Sequence, residues 1–337
     1  AYFYVDDVRI EVDGGAGGGG TACPADYIPD TLVSEFSWEF EGIGDPWGLT
    51  FLPPGVSFNG VAAPADGAWL VLDKGDKDFT MFDLLGTNLT AANTSINEPR
   101  GVAYIDSGTW ANHLAVAEPG LEQIIFTDLN AATQGSISTV GITQLPLGES
   151  FIKDSQSGIY DGHLAISSDK NATGSSQANV SIVDQDGNLK SVIDISGFAI
   201  LPAGVAHIPG KDKFLVIENT GPVYIVGFDG TLHDQYNSND WGTIQTQSIA
   251  INPLTSTHGI LDKGTKEIIE LGLAGCIAGG GGGGGGGGSC DGTFRDEFNA
   301  RSLTGSDGTL SWSTDWLEVG ENNGPTSGDI QVMTDQS

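Results

Sequence analysis

The residues that could do chemistry in this chain are scattered. Its five histidines, His113, His163, His207, His233 and His258, form no HxH or HExxH pair, so no local zinc motif is present. No GxSxG marks a nucleophile elbow, and no Ser, His and Asp set is recognisable by local motif. The acids are more suggestive. Asp73, Glu118, Ser168, Glu218 and Asp262 each close a short apolar run, at steps of 45, 50, 50 and 44 residues. Acids recurring at one place around an axis would suit a hard cation such as Ca2+. Turn or capping hydrogen bonds are the preferred reading of them. Asp184-Gln-Asp186-Gly-Asn188 begins like a calcium loop but lacks the remaining EF-hand ligands and the closing glutamate. It reads better as a tight turn between outer strands. His163 and Arg100 precede apolar strands and are the residues a shared axis would bring together. Satisfied or exposed histidines are still the preferred reading. No residue is assigned a catalytic, cofactor-binding or metal-ligating role. No cofactor is expected, and Ca2+ is the one ion the acids would suit.

The elements around these acids repeat. WLVLDKGDKDFTMFDLLG, LAVAEPGLEQIIFTDLNAA, LAISSDKNATGSSQANVSIVDQDG, FLVIENTGPVYIVGFDG and HGILDKGTKEIIELGL share one pattern. Each has a short apolar strand ending in a small or acidic residue, a loop, then a second apolar strand. A further strand precedes each: WGLTFLP, RGVAYID, SGIYDG, AGVAHIP and QSIAINP. Four of these five contain glycine, which would let strands crowd near an axis. A fourth strand follows the first four repeats, as in SISTVGI and LKSVIDIS. Repeats of about 40–50 residues built from such strands predict the blades of a β-propeller. The count is five blades, or six if Gly141 to Ser157 conceals a degenerate one. The fold class is therefore all-β.

After the fifth repeat no fourth strand follows, because a glycine tract begins. The orphan strand TLVSEFSWEF stands before the first blade and is predicted to complete the last one. That closure removes two free sheet edges, which invite aggregation. It would also bring Cys23 near Cys276, and a disulfide between them would lock the ring. The idealised entropy of so long a loop is worth on the order of 5 kcal/mol. The rival pairing is Cys276 with Cys290. A disulfide implies an oxidising compartment.

Two glycine tracts divide the chain: Gly14 to Gly20, interrupted by Ala16, and Gly279 to Gly288, ten in a row. They lack the lysine and helix of a phosphate-binding loop and read as linkers. The predicted domains are a terminal strand (1–13), a linker (14–22), the propeller (23–276), a polyglycine linker (277–289) and a C-terminal segment (290–337). The opening AYFYVDDVRIEVD has no basic region and no cleavage site, so it reads as a strand and not as a signal peptide. With 44 acids against 13 bases, the net charge is −31. That field repels nucleic acid and anionic lipid. No apolar run is long enough for a membrane helix. Four sequons, at Asn88, Asn93, Asn171 and Asn179, read as chance occurrences in a chain rich in Ser, Thr and Asn.

The C-terminal DEFN…DGTLSWSTDWLEVGE…GP…GDIQV resembles the opening of a jelly-roll domain common in large, glycine-linked bacterial surface proteins. The N-terminal YFYVDDVRIEV resembles that domain's final strand. The middle strands of such a domain are absent. This leaves Phe294, Phe298, Leu310, Trp312, Trp316 and Ile330 without a complete sheet. The two ends would fold together within one chain, or residues 1–12 of one chain would complete the sheet of the next. The centre resembles six-bladed propellers with NHL-type or gluconolactonase-type repeats in strand rhythm, which bears on fold and not activity.

The resulting expectation is a non-enzymatic structural subunit of an extracellular filament, scaffold or adhesin. It would assemble head-to-tail by strand complementation, with other copies of itself as partners and surface glycans or proteins as further ones. The alternative is a secreted propeller hydrolase, lactonase or carbohydrate-binding module.

Overall fold

A computed structural model of the chain describes residues 28–38 and 43–272. All of them belong to the first of two compact units, Ala1–Asp291 and Gly292–Ser337. The terminal strand at 1–13, both glycine tracts, all three cysteines and the 290–337 segment lie outside the described residues.

The described residues form a five-bladed β-propeller. Strand β1 (Thr31–Ser37) comes first in the chain. Blade one follows as β2 (Pro46–Leu52), a small hairpin of β3 (Ser57–Phe58) and β4 (Val61–Ala62), then β5 (Ala68–Asp73), β6 (Asp78–Phe82) and β7 (Asn88–Asn93). Blade two is β8 (Val102–Ile105), β9 (His113–Glu118), β10 (Gln123–Asp128) and β11 (Thr133–Ser138). Blade three is β12 (Gly148–Phe151), β13 (Leu164–Lys170), β14 (Ser176–Val183) and β15 (Leu189–Asp194). Blade four is β16 (Pro202–His207), β17 (Lys213–Glu218), β18 (Pro222–Gly227) and β19 (Leu232–Asn237). Blade five is β20 (Thr246–Asn252), β21 (Thr257–Asp262) and β22 (Glu267–Gly272), with β1 as its outer strand.

Closure by the N-terminal strand is thus as expected. Thr31 pairs with Gly272 and Ser37 with Glu267, antiparallel, with a bulge between Leu32 and Ser34. The six-blade alternative is corrected. Gly141 to Ser157 holds no hidden blade; it contains β12, the inner strand of blade three. SGIYDG, predicted as that inner strand, is instead a turn before β13. A twelve-residue connection between β12 and β13 moved the strand upstream of the place that the other repeats suggest.

Each inner strand touches the inner strand of the next blade around the ring. Glycine makes this approach feasible. A Cβ on Gly48 would meet the Arg100 carbonyl at 2.6 Å, and one on Gly148 would meet Gly204 Cα at 2.6 Å. Ser248 takes the matching place in blade five, where its Oγ accepts the Leu49 N–H at 3.1 Å. Thr50 and Ser150 likewise accept the Tyr104 and His207 N–H groups across the next two seams they face.

The middle strands are buried on both faces, and alternate side chains enter opposite seams. In β5, Leu70 and Leu72 join the core shared with blade two, whereas Trp69 and Val71 join that shared with blade five. The described core divides into five such clusters, one per seam. Burying each Val, Leu, Ile or Phe contributes about 1.5–3 kcal/mol. The outer strands alternate exposed and half-buried residues, as in NLTAAN of β7.

Candidate functional site

The five strand-ending residues sit at one end of the axis, and all are buried. The carboxylates of the four acids accept backbone N–H groups, most of them from the segments that lead into the inner strands. Asp73 accepts the N–H groups of Gly44, Asp45 and Gly75 at 2.5, 2.9 and 2.6 Å. Asp262 repeats the pattern with Ile244, Gln245 and Gly264 at 2.5, 2.8 and 2.7 Å. Glu118 accepts from Glu98 N at 2.9 Å. Glu218 accepts from Ile200 and Leu201. Ser168 bonds Lys170 locally. The four acids thus cap the start of the inner strand in blades one, two, four and five, whereas Ser168 of blade three bonds only within its own strand. Among the described residues no cluster of His, Cys, Asp or Glu is arranged to hold a metal.

A second set of acids makes the turns before the outer strands. Asp184 Oδ1 accepts the N–H groups of Asp186 and Asn188 at 3.0 and 2.8 Å. Burial pushes its carboxyl up, but Lys190, Asn188 and the backbone amides outweigh that and hold it well below the usual range. Asp83, Asp128 and Asp229 make the same turn in blades one, two and four. Blade five has no such aspartate, because its outer strand arrives from the other end of the chain. The calcium-loop lookalike is therefore the tight turn that its sequence favoured.

The histidines do not converge. His113 and His163 bond carbonyls in the turns that lead into β9 and β13. His207 bonds the Lys211 carbonyl at 2.9 Å. His233 is exposed on β19. His258 is buried and meets the Tyr236 hydroxyl across a seam; burial pushes its pKa down to about 3. Two sequon asparagines are structural: Asn179 is buried and donates to Lys170 and Gln177, and Asn171 shapes its own turn.

Arg100 does lie at the inner strands. Trp47, Arg100, Leu147, Ala203 and Gln247 directly precede the crowded Gly or Ser positions of the five blades. The Arg100 guanidinium lies 4.3 Å from the Trp47 ring centroid, and Lys74 lies 5.4 Å from it. Trp47 Nε1 donates to Asp45 at 3.0 Å, and Lys263 pairs with the same carboxylate. Burial lowers the Arg100 pKa, against the pull of Glu98, Asp169 and Asp45. This stack lies at the end of the ring where the inner strands begin.

Towards the other end, the inner strands of all five blades enclose a cavity of about 130 Å³. Its walls are mostly aliphatic and aromatic. Leu49, Val102, Glu149, Val205 and Ile249 each follow the crowded Gly or Ser and so hold equivalent places. Four are aliphatic and one is a carboxylic acid. Glu149 is 4% exposed, and neither carboxyl oxygen has a hydrogen-bond partner of good geometry. Burial raises its pKa well above the usual carboxylate range, only partly offset by the Ala117 amide. Sequence reasoning missed it because the inner strand of blade three was placed at SGIYDG. Aligning GESF with GLTF would have set Glu149 against Leu49.

No protein-family model matches the chain. No curated protein matches it either. Solved structures do. The chain is similar to Myxococcus xanthus glutaminyl cyclase, with 11% identity and a TM-score of 0.50 over 72% of this chain and 94% of that one. It is also similar to a chain of a nidogen/laminin complex, with 13% identity and a TM-score of 0.47 over 68% and 76%. At these identities the likeness is one of fold, and the fold is the β-propeller.

Proposed function

We propose that this chain is a structural subunit of an extracellular filament or surface scaffold, in which the propeller is the rigid body and the two ends make the joints. The observation that carries this reading is the closure of the ring. Strand β1 is consumed inside blade five, so the chain reaches the ring and leaves it at one place. The Asp30 N–H donates to the Gly272 carbonyl at 2.9 Å there. The segments beyond these residues resemble the last strand and the opening of one sandwich domain. Each needs a partner sheet, and head-to-tail strand donation between copies supplies one. A contact of this kind does not close on itself and so produces a filament. The capping acids support a scaffold, because they brace the ring end where a propeller could otherwise present free carboxylates. The net charge of −31 supports a solvent-facing surface. The reading assigns no catalysis.

Electron microscopy of the full chain and of a chain lacking residues 1–12 tests it. Regular polymers are expected from the first and monomers from the second. Normal filaments without residues 1–12 would sink the proposal.

A further inference from the structure

Blade three lacks the capping carboxylate that the other four blades carry. In blades one, four and five that carboxylate accepts two successive backbone N–H groups, four and three residues before the crowded Gly or Ser. The pairs are Gly44 and Asp45, Ile200 and Leu201, and Ile244 and Gln245. In blades one and five each oxygen takes one amide of the pair. In blade two Glu118 accepts from the second of the pair, Glu98. The matching amides of blade three are those of Gln144 and Leu145, four and three residues before Gly148. The residue at the capping place is Ser168, whose hydroxyl is engaged by the Lys170 backbone at 2.9 and 3.1 Å. Neither the Gln144 nor the Leu145 N–H has a hydrogen-bond partner among the described residues.

The backbone here otherwise follows its neighbours. Pro46, Pro99, Pro146 and Pro202 each stand two residues before the crowded glycine of blades one to four. The Leu147 N–H donates to the Ser167 carbonyl at 3.0 Å, as the Arg100 N–H does to the Ala117 carbonyl in blade two. Thr143 Oγ1 donates to the Lys170 carbonyl at 2.9 Å and pins the other end of the segment. Gln144 and Leu145 are thus held beside the end of β13, and both are partly exposed. Successive amides held in this way make a concavity suited to an anion.

A cation stands beside it. Arg100 precedes Gly101, where a Cβ would lie 2.6 Å from the Leu147 carbonyl oxygen. The Arg100 Nε is buried without a hydrogen bond, and its guanidinium forms no ion pair among the described residues, although Glu98, Asp169 and Asp45 lie within electrostatic reach. Asp169 does not take the place of the missing cap. It lies in the bulge between Ser168 and Lys170, and its Oδ1 is buried without a partner. The Thr139 N–H donates to the Glu122 carbonyl at 2.7 Å, which sets the exposed Val140 near the exposed Leu121 on the segment leading to the slot.

We propose that this slot binds a carboxylate from outside the chain, with one oxygen on the Gln144 N–H, the other on the Leu145 N–H, and Arg100 offsetting the charge of Asp169. Two sources share that chemistry: a small free acid, and an acidic side chain of a peptide that also covers Leu121 and Val140. The slot is independent of the filament joints. Thr246 pairs with Asp262 and Asp262 with Glu267 at its end of the ring, whereas the chain enters and leaves at the other end of β22, where Thr31 pairs with Gly272.

The test follows the amide resonances of Gln144 and Leu145 in the full chain by NMR. The titrants are acetate, acetamide and the blocked peptide acetyl-Leu-Glu-Leu-amide, at constant ionic strength. Saturable shifts of both amides by acetate are expected, with acetamide at least about tenfold weaker. Peptide binding at least about threefold tighter than acetate assigns the acid to a peptide, and equal or weaker binding assigns it to a free acid. Ser168→Asp restores the carboxylate of blades one and five. It should raise the Tm by about 2–4 °C and abolish the acetate shifts. Arg100→Gln should weaken acetate by at least about threefold. Amides that acetate leaves unmoved would overturn the proposal, and so would unchanged acetate affinity in Ser168→Asp. Should Ser168→Asp fail to fold, the wild-type titration still decides.

Discussion

Asp30 and Gly272 stand at opposite ends of the propeller sequence and are joined by a 2.9 Å backbone hydrogen bond. The bond continues the ladder of β1 on β22, which runs from Thr31–Gly272 to Ser37–Glu267. The ring is therefore closed by a sheet and not by a loop. Phe36 extends the closure into the core, with its ring centroid 5.5 Å from that of Phe82.

Removing residues 1–38 should expose the whole edge of β22. The Tm is expected to fall by about 10 °C or more, because several kcal/mol of pairing and packing are lost in a domain of this size. Soluble oligomers should appear on size exclusion through the bare edge. A synthetic peptide covering residues 28–38 should restore the monomer. A truncated chain that stays monomeric with an unchanged Tm would show that β1 is dispensable.

The same junction bears on the cysteines. Cys23 precedes Asp30 by seven residues and Cys276 follows Gly272 by four. A peptide map under non-reducing conditions is expected to recover Cys23 linked to Cys276, with Cys290 in another pairing or free. Recovery of Cys276 linked to Cys290 would reject this arrangement.

Asp262 distinguishes capping from ion binding. Asp262→Ala orphans three backbone N–H groups and should cost about 2–4 kcal/mol in urea unfolding. Chelation of divalent ions should leave the wild-type Tm unchanged, since the carboxylate is engaged by amides. A large loss of stability on chelation would restore the calcium reading.

Asp78 lies opposite Asp73 across β5 and β6. Burial, then the charges of Asp73 and Asp76, raise its pKa from 3.8 to about 6. A raised acid holds its proton more tightly in the folded chain than in the unfolded one. Its contribution to stability is complete below 3.8 and is lost as pH climbs through about 6. Asp78→Asn is neutral at every pH and escapes that loss. It should raise the Tm at about pH 7.5 and leave it unchanged near about pH 3.5. A variant less stable than the wild type at the higher pH would contradict this sign.

Much of the fold was legible because propeller chemistry is local. Asp83, Asp128, Asp184 and Asp229 each bond amides two to four residues ahead, so their spacing announces the turns directly. Gly48, Gly101, Gly148 and Gly204 announce close approach, since a Cβ at any of them would lie within about 3 Å of a neighbouring strand. The strand-ending acids could be read as caps because their partners lie within their own blade. The inner strand of blade three was misplaced for the opposite reason. GESF is short and polar, and its burial comes from blades two and four, which no local pattern encodes.

By itself the sequence determined the all-β class, the repeat, the blade order and the strand that closes the ring. Each of these depends on periods of two residues and of 44–50 residues that are visible along one dimension. Only the tertiary structure decided that the ring has five blades, that the recurring acids accept backbone amides, and that Glu149 is buried where the other four blades hold an aliphatic side chain. Those facts depend on which blade faces which across a seam. That relation arises when the ring closes, and it is the closure by β1 that brings it about.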